Sequence, residues 1–217
     1  MTFRYYDRDV TSLLPQDWQE ELIKYTEANA LNYRISPTSV TSREIDPNQP
    51  LNIYVVTGEK IKTGVPWLYK LYENELLDIV QKWHQAESVF CDPIPTSAVN
   101  INMQKGKNMR YEAHVDTGLA GLLYVTGHPP GSGGELVVAN NSAAVGTEAI
   151  DSDCVKIYPK VGNFVFFDAR EHPHYVTSLN KDADCRIAVI FNYYSPSCKR
   201  PTGLDQHLYG TVDPNPK

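Results

Sequence analysis

The chain has 217 residues, a formal net charge of −6 and 20 basic residues that are scattered along the sequence. Because no basic stripe is present for contact with phosphates, we expect no nucleic-acid partner. No apolar run approaches the roughly 18 residues that a membrane-spanning helix needs, and the N-terminus lacks the apolar core of a signal peptide. These features predict a cytoplasmic protein without a membrane partner.

The four cysteines lie far apart in the sequence, without a Cys-x-x-Cys pair: Cys91, Cys154, Cys185 and Cys198. This spacing favours reduced thiols over a disulfide framework or a zinc site. No linker, internal repeat or low-complexity tract interrupts the chain, so we expect one domain over residues 1–217.

Two segments of the N-terminal part, residues 1–96, have the apolar spacing of helices. They are Gln16 to Ala30 and Trp67 to Gln85, and we expect both to pack on one face of the domain. Between them, Asn32 to Thr63 is polar, with one β-like run at Leu51–Thr57. Such a stretch is either a mobile cover over a site or an irregular surface excursion.

The central part, residues 97–196, predicts a mainly β fold, and residues 197–217 form a C-terminal tail. Short β-rich runs alternate there with turn-forming residues in the rhythm of a double-sheet jelly roll, the cupin-like double-stranded β-helix. The eight predicted strands are Ser97–Gln104, Tyr111–Asp116, Leu119–Thr126, Gly134–Ala139, Cys154–Tyr158, Asn163–Asp168, His174–Leu179 and Cys185–Tyr194.

The residues His114 and Asp116, together with His174, form a candidate metal site. His114 and Asp116 are two apart on the second predicted strand, so their side chains should leave the same face. Two imidazoles and one carboxylate are the donors of a facial triad, which binds Fe(II) and leaves three positions open for oxygen chemistry. His172 has the same strand parity as His174 and is its rival.

Arg186 begins the last, strongly apolar strand. A cation at the end of a buried strand needs an anion, and the planar guanidinium suits bidentate binding of a carboxylate. That anion is either a ligand or a structural salt-bridge partner.

Several motifs of the C-terminal half occur in the order of a known family. The chain resembles the Fe(II)/2-oxoglutarate-dependent dioxygenases, locally their prolyl-hydroxylase-like branch. It is also similar, through Val65-Pro66-Trp67-Leu68-Tyr69, to the bacterial hydroxylases and halogenases of free amino acids. The motifs of the first resemblance are Tyr111-x-x-His114-x-Asp116, Ser132-Gly133-Gly134-Glu135-Leu136, Phe166-Phe167-Asp168, Pro173-His174-x-Val176 and Arg186-x-Ala188-Val189.

The resemblance implies a jelly-roll enzyme that uses Fe(II), 2-oxoglutarate and O2, with ascorbate as a reductant in vitro. His114, Asp116 and His174 would be the metal ligands, and His174 is favoured over His172 because it has the flanking residues of the family motif. Arg186 would bind the distal carboxylate of 2-oxoglutarate.

One departure from the family concerns the residue two after Arg186. Many members have Ser or Thr there, whereas this chain has Ala188. The missing hydroxyl must come from elsewhere, and the candidates are Tyr124, Thr126 and Tyr111.

Three further residues are candidates for substrate binding. Glu112 shares the strand parity of the ligands and suits a substrate ammonium, Asn192 shares the face of Arg186, and Gln104 ends the first predicted strand. Because related halogenases have a small residue in place of the carboxylate ligand, Asp116 favours hydroxylation or desaturation over halogenation.

Three functions fit these observations. The first is hydroxylation of a free amino acid or similar small polar molecule, which the short chain favours. The second is a prolyl-hydroxylase-like reaction on protein or peptide side chains. The third is a non-catalytic jelly-roll metal-binding module, which would not need Arg186 as a cosubstrate anchor.

Overall fold

The structure is a computed structural model that describes residues 3–34, 52–85, 87–107, 109, 111–144, 146–198 and 200. Its centre is a pair of antiparallel sheets, one large and one small. The large sheet contains β1 (Tyr5–Asp9), β2 (Leu31–Arg34), β3 (Asn52–Val56), β4 (Phe90–Cys91), β5 (Val99–Lys105), β7 (Leu119–Tyr124), β10 (Asn163–Asp168) and β12 (Cys185–Tyr194). The small sheet contains β6 (Tyr111–His114), β8 (Leu136–Ala139), β9 (Cys154–Ile157) and β11 (His174–Val176).

The strand order is that of a jelly roll. The large sheet runs β1-β10-β7-β12-β5-β3-β2, with β4 pairing to β12, and the small sheet runs β6-β11-β8-β9. Successive strands from β5 to β12 thus alternate between the sheets, singly or in pairs. The predicted mainly β fold is confirmed.

The helices of the N-terminal part cover one face of the large sheet, as predicted, and one further helix, at Thr147–Ser152, packs against the small sheet. They are α1 (Trp18–Asn29), α2 (Gly58–Gly64), α3 (Pro66–Leu71), α4 (Leu77–His84), α5 (Pro95–Ala98) and α6 (Thr147–Ser152), with a π-helical turn at Tyr72–Leu76 and a 3-10 turn at Thr11–Leu13. Leu22 of α1 and Leu68 of α3 are fully buried in one apolar cluster with Phe191 of β12. Among the described residues, no helix has both the length and the apolar character needed to cross a membrane.

Strand alternation divides β12 between two environments. Ile187, Val189, Phe191 and Tyr193 belong to the apolar cluster beneath the helices. Arg186, Ile190 and Asn192 leave the opposite face and line a cavity between the two sheets. One face of the large sheet therefore packs beneath the helices, and the other packs against the small sheet and also carries the polar groups of the cavity.

All eight predicted strands are present, but several are shorter than predicted. Strand β6 ends at His114, so Asp116 is not on the strand; its amide instead donates to the carbonyl of Ala169, at 3.0 Å. Strand β7 ends before Thr126, and β11 ends at Val176. In each case the strand pairing stops before the end of the β-like run in the sequence.

Among the described residues, the N-terminal part contains β1, β2, β3 and β4, of which the sequence predicted only β3. Strand β1 pairs with β10, and β3 pairs with β5. The β-like run at Leu51–Thr57 is present as β3, but Asn32 to Thr63 also includes the end of β2 and all of α2. Most of the stretch considered as a cover, residues 35–51, lies outside the described residues. The single-domain interpretation of residues 1–217 stays a prediction.

Candidate metal and cosubstrate site

Three side chains with metal-binding donors meet at the edge of the small sheet. Strands β6 and β11 pair so that His114 lies opposite His174. Asp116, two residues after the end of β6, lies next to both imidazoles. The Nε2 atom of His114 is 3.5 Å from Oδ1 of Asp116, and Nε2 of His174 is 3.6 Å from Oδ2. One ligand atom from each residue lies within 4.8 Å of the others. Two nitrogens and one carboxylate oxygen in this proximity fit the donor set of an Fe(II) facial triad.

A backbone contact orients His174 toward this cluster. Its Nδ1 lies 2.9 Å from the carbonyl oxygen of His172, so a proton on Nδ1 would leave Nε2 free as a metal donor. His172 is turned elsewhere: its own Nδ1 contacts the carbonyl of Ala139, and its ring packs edge-on against Phe3. The structure therefore brings His174, and not His172, to His114 and Asp116. The parity argument for His172 does not apply, because β11 begins at His174.

The protonation states of the cluster suit a divalent cation. Burial opposes ionisation of Asp116, but hydrogen bonds from His114 and His174, with a smaller electrostatic contribution from the same rings, outweigh it and hold the pKa of this carboxyl well below its usual range. Burial, with a contribution from His114, lowers the pKa of His174. An ionised carboxylate and a neutral imidazole are the forms that bind metals.

Arg186 is buried without a carboxylate partner. Only 3% of the residue is exposed, and its Nε donates to the carbonyl of Gly134 at 2.8 Å. Within the part of the chain that the structure describes, its Nη2 has no hydrogen-bond partner and no ion pair joins it to an acid. Burial lowers the pKa of Arg186, yet a guanidinium remains charged in proteins. The salt-bridge alternative thus finds no support here.

Tyr124 lies next to this cation. The guanidinium carbon of Arg186 is 5.5 Å from the centre of the Tyr124 ring, and the buried Tyr124 hydroxyl also lacks a partner among the described residues. Burial raises the pKa of Tyr124 to about 12, against the opposing effect of Arg186, so the phenol keeps its proton. Two unsatisfied buried donors side by side are costly unless an acceptor binds them.

The glycine pair of the Ser132-Gly133-Gly134-Glu135-Leu136 motif makes room for Arg186. Gly133 and Gly134 have φ of +78° and +79°, which disfavours other residues. A Cβ on Gly133 would lie 2.0 Å from the carbonyl oxygen of Ser178, and one on Gly134 would lie 3.1 Å from Cδ of Arg186. The loop can therefore pass close to the end of β11 and offer its carbonyl to the arginine.

The cluster and Arg186 open into one cavity of about 100 Å³ between the sheets. Its polar lining includes Gln104 and Asn192, two of the candidates from the sequence, and also Asn100 and Asn102, which were not among the candidates. Both lie on β5, two and four positions before Gln104, so strand alternation places all three side chains on one face. Alternation from Gln104 could therefore have identified them. The other lining residues are Ile53, Ala120, Leu122, Leu136, Phe167, Val176 and Ile190.

The remaining predicted residues do not line this cavity or are not described. Thr126 was predicted to end the third strand, but it follows the end of β7, and its hydroxyl accepts a hydrogen bond from the amide of Ile187 at 2.8 Å. The side chains of Tyr111 and Glu112 lie outside the described part of the structure.

The two candidates that line the cavity lie far apart in it. Gln104 pairs in register with Arg186, whereas Asn192 lies toward the far end of β12.

Comparison with known proteins agrees with this geometry. Residues 99–194 match the 2OG-Fe(II) oxygenase superfamily, and no curated protein sequence matches the chain. Among solved structures, the non-heme alpha ketoglutarate dependent epimerase SnoN from nogalamycin biosynthesis is similar, with a TM-score of 0.64, 13% identity, and coverage of 100% of this chain and 89% of that chain.

Two prolyl hydroxylases are also similar in structure. A Pseudomonas putida prolyl-4-hydroxylase has a TM-score of 0.56 at 15% identity and covers 90% of this chain and 95% of its own. The Trichoplax adhaerens prolyl hydroxylase, solved with a hypoxia inducible factor peptide fragment, has a TM-score of 0.61 at 13% identity, with coverage of 88% and 83%. These likenesses establish the fold, and the superfamily match covers every strand of the jelly-roll core. Residues 99–194, which are somewhat less than half of the chain, match the 2OG-Fe(II) oxygenase superfamily, and together with the His114–Asp116–His174 cluster this match supports an Fe(II)/2-oxoglutarate-dependent dioxygenase.

Proposed function

We propose that this dioxygenase hydroxylates a free amino acid or a similar small polar molecule. The observation that carries the proposal is the composition of the cavity, where four carboxamide side chains share the space of the metal cluster and Arg186. A polar lining of this kind binds a substrate by hydrogen bonds from fixed positions.

In this proposal, His114, Asp116 and His174 hold Fe(II). When bound, iron and 2-oxoglutarate supply the oxidation: O2 and 2-oxoglutarate become succinate and CO2, and one oxygen atom converts a substrate C–H bond to C–OH. The protein contributes binding, orientation and a pocket protected from water. Phe167 and Val176 form part of the apolar wall next to the ligands.

Arg186 is proposed to bind the distal carboxylate of 2-oxoglutarate. Its Nε is already occupied by Gly134, which fixes the plane of the guanidinium and leaves Nη2 free to donate. We propose Tyr124 as the hydroxyl that the family usually places two residues after the arginine. In β7, Tyr124 pairs in register with Ala188, so the small side chain and the phenol occupy neighbouring positions.

Asp116 favours hydroxylation over halogenation, because its carboxylate occupies the place that a halide would need. The second candidate is a hydroxylase of protein or peptide side chains, which the structural likeness to prolyl hydroxylases favours. The match to an enzyme superfamily argues against a non-catalytic metal-binding module.

A substrate panel tests the proposed function. The protein supplied with Fe(II), 2-oxoglutarate and ascorbate should release succinate in response to one or a few of the free amino acids, because the cavity can surround a small molecule. Succinate would be measured for each amino acid and, as the control, for proline-containing peptides. A response to peptides alone would contradict the proposal and favour the second candidate.

The distal metal ligand can be identified with two matched histidine variants. His174→Ala should remove one of three protein ligands, so Fe(II) binding should weaken and turnover should fall by at least about 100-fold. His172→Ala should retain Fe(II) binding, since that ring faces Phe3 and Ala139. Anaerobic Fe(II) titration measures both variants. The reverse pattern would show that His172 is the ligand.

Arg186→Met tests the cosubstrate anchor. This change removes the guanidinium but keeps a long apolar stem, so the KM for 2-oxoglutarate should rise by about 30- to 150-fold, equivalent to ~2–3 kcal/mol for a charge-assisted contact. Arg8→Met, at an exposed position of β1, is the matched control and should leave this KM unchanged. An unaltered KM in Arg186→Met would remove Arg186 from the cosubstrate site.

A further inference from the structure

Two carboxamides of the cavity are fixed by a single backbone carbonyl. The Nδ2 atoms of Asn100 and Asn192 both donate to the carbonyl oxygen of Ser97, at 3.1 and 2.6 Å. Because a carbonyl can only accept, these contacts decide which end of each amide is the nitrogen. The Oδ1 atoms are therefore the ends that remain for other partners.

The oxygen of Asn100 has no partner within the described part of the chain. The residue is 2% exposed, and its Oδ1 is buried without a hydrogen bond. Asn192 lies beside it, because Asn100 pairs in register with Ile190, two positions before Asn192 on β12. An unsatisfied buried acceptor costs stability, and this one lies in the wall of a ligand cavity.

The turn that holds the amides is itself firmly anchored. The hydroxyl of Ser97 donates to Oδ2 of the buried Asp92 at 2.7 Å, and the amide of Ile94 donates to Oδ1 of the same carboxylate at 2.9 Å. Arg200 adds an ion pair to Asp92 at 2.9 Å. The position of the Ser97 carbonyl, and with it the direction of both amides, is fixed before a ligand binds.

The two amides lie at the opposite end of the cavity from the cosubstrate anchor. Asn192 lies six positions after Arg186 on β12, which is roughly 20 Å at about 3.3 Å per residue. Asn192 pairs with Ala120, at the start of β7, just after the loop that carries Asp116. Of the lining residues that the structure describes, Arg186 is the only cation outside the metal cluster. Arg200, which also contacts Ser97, does not line the cavity and is paired with the buried Asp92.

From this arrangement we infer that Asn100 and Asn192 form a substrate subsite for a primary ammonium group; the inference rests on the proposed function. An ammonium has three donors and no acceptor, so the two amide oxygens, which can only accept, suit two of its N–H groups. The hydroxyl of a hydroxy acid has one donor, so it could bond to only one of the two oxygens. Its own two lone pairs would find no donor at these oxygens. The subsite thus selects an amine over the corresponding alcohol.

Binding measurements with matched compounds test the subsite. The probes are the free L-amino acids and their L-α-hydroxy acid counterparts, titrated by calorimetry into protein loaded with Zn(II) and 2-oxoglutarate, so that no turnover occurs. An amino acid that supports succinate release with iron should bind at least about 10-fold more tightly than its hydroxy acid, as expected for hydrogen bonds to a charged group.

Three variants identify the residues responsible. Asn100→Ala and Asn192→Ala should each weaken amino acid binding by about 10-fold or more, without a change in the KM for 2-oxoglutarate. Asn141→Ala, at an exposed turn, is the control and should have no effect. Thermal unfolding checks that each variant is folded; Asn192, which is only partly buried, provides the test if Asn100→Ala is unstable.

The outcomes separate the subsite from the function. Equal affinity for amino and hydroxy acids would overturn the subsite, and so would wild-type affinity for the amino acid in the folded variants. If succinate were still released in either case, the proposed function would stand. Amine binding that both variants weaken, without succinate release for any compound, would uphold the subsite and overturn the proposed function.

Discussion

The site depends on the register between β6 and β11. His114 and His174 come from distant parts of the sequence, and they meet because the two strands pair at these residues. A shift of one position would turn one imidazole to the other face of the small sheet. With the two rings 4.3 Å apart between centroids, the chain needs only a short excursion after β6 to place Asp116 against both. Strand pairing thus determines which donors can share a metal ion.

The cavity can form because the two faces of the large sheet carry different side chains. Alternate residues of β12 pack beneath the helices, and the residues between them carry the polar groups of the cavity. Arg186 is the most demanding of these groups, since a buried cation is costly without an anion. The apolar cluster between the helices and the large sheet stabilises the fold and offsets this cost.

Much of this arrangement follows from sequence periodicity, and the remainder from contacts between distant segments. The period of two predicted that Arg186 and Asn192 share a face, and it would have added Asn100 and Asn102 if applied to β5. The predicted strands extended too far at Asp116 and Thr126, whose amides donate to the carbonyls of Ala169 and Ile187 after β6 and β7 have ended. Strand β1 was missed because it is a partly exposed edge strand that pairs with β10, more than half the chain away.

The account rests on Asp116 as the anionic ligand that joins the two histidines, and its replacement by glycine tests that most directly. Asp116→Gly leaves both imidazoles in place and opens the position of the carboxylate. Product formed with and without chloride would be analysed by mass spectrometry. We expect hydroxylation to fall by at least about 100-fold as a ligand and its charge are lost, with at most weak chlorination. Full hydroxylase activity in this variant would show that Asp116 is not a ligand.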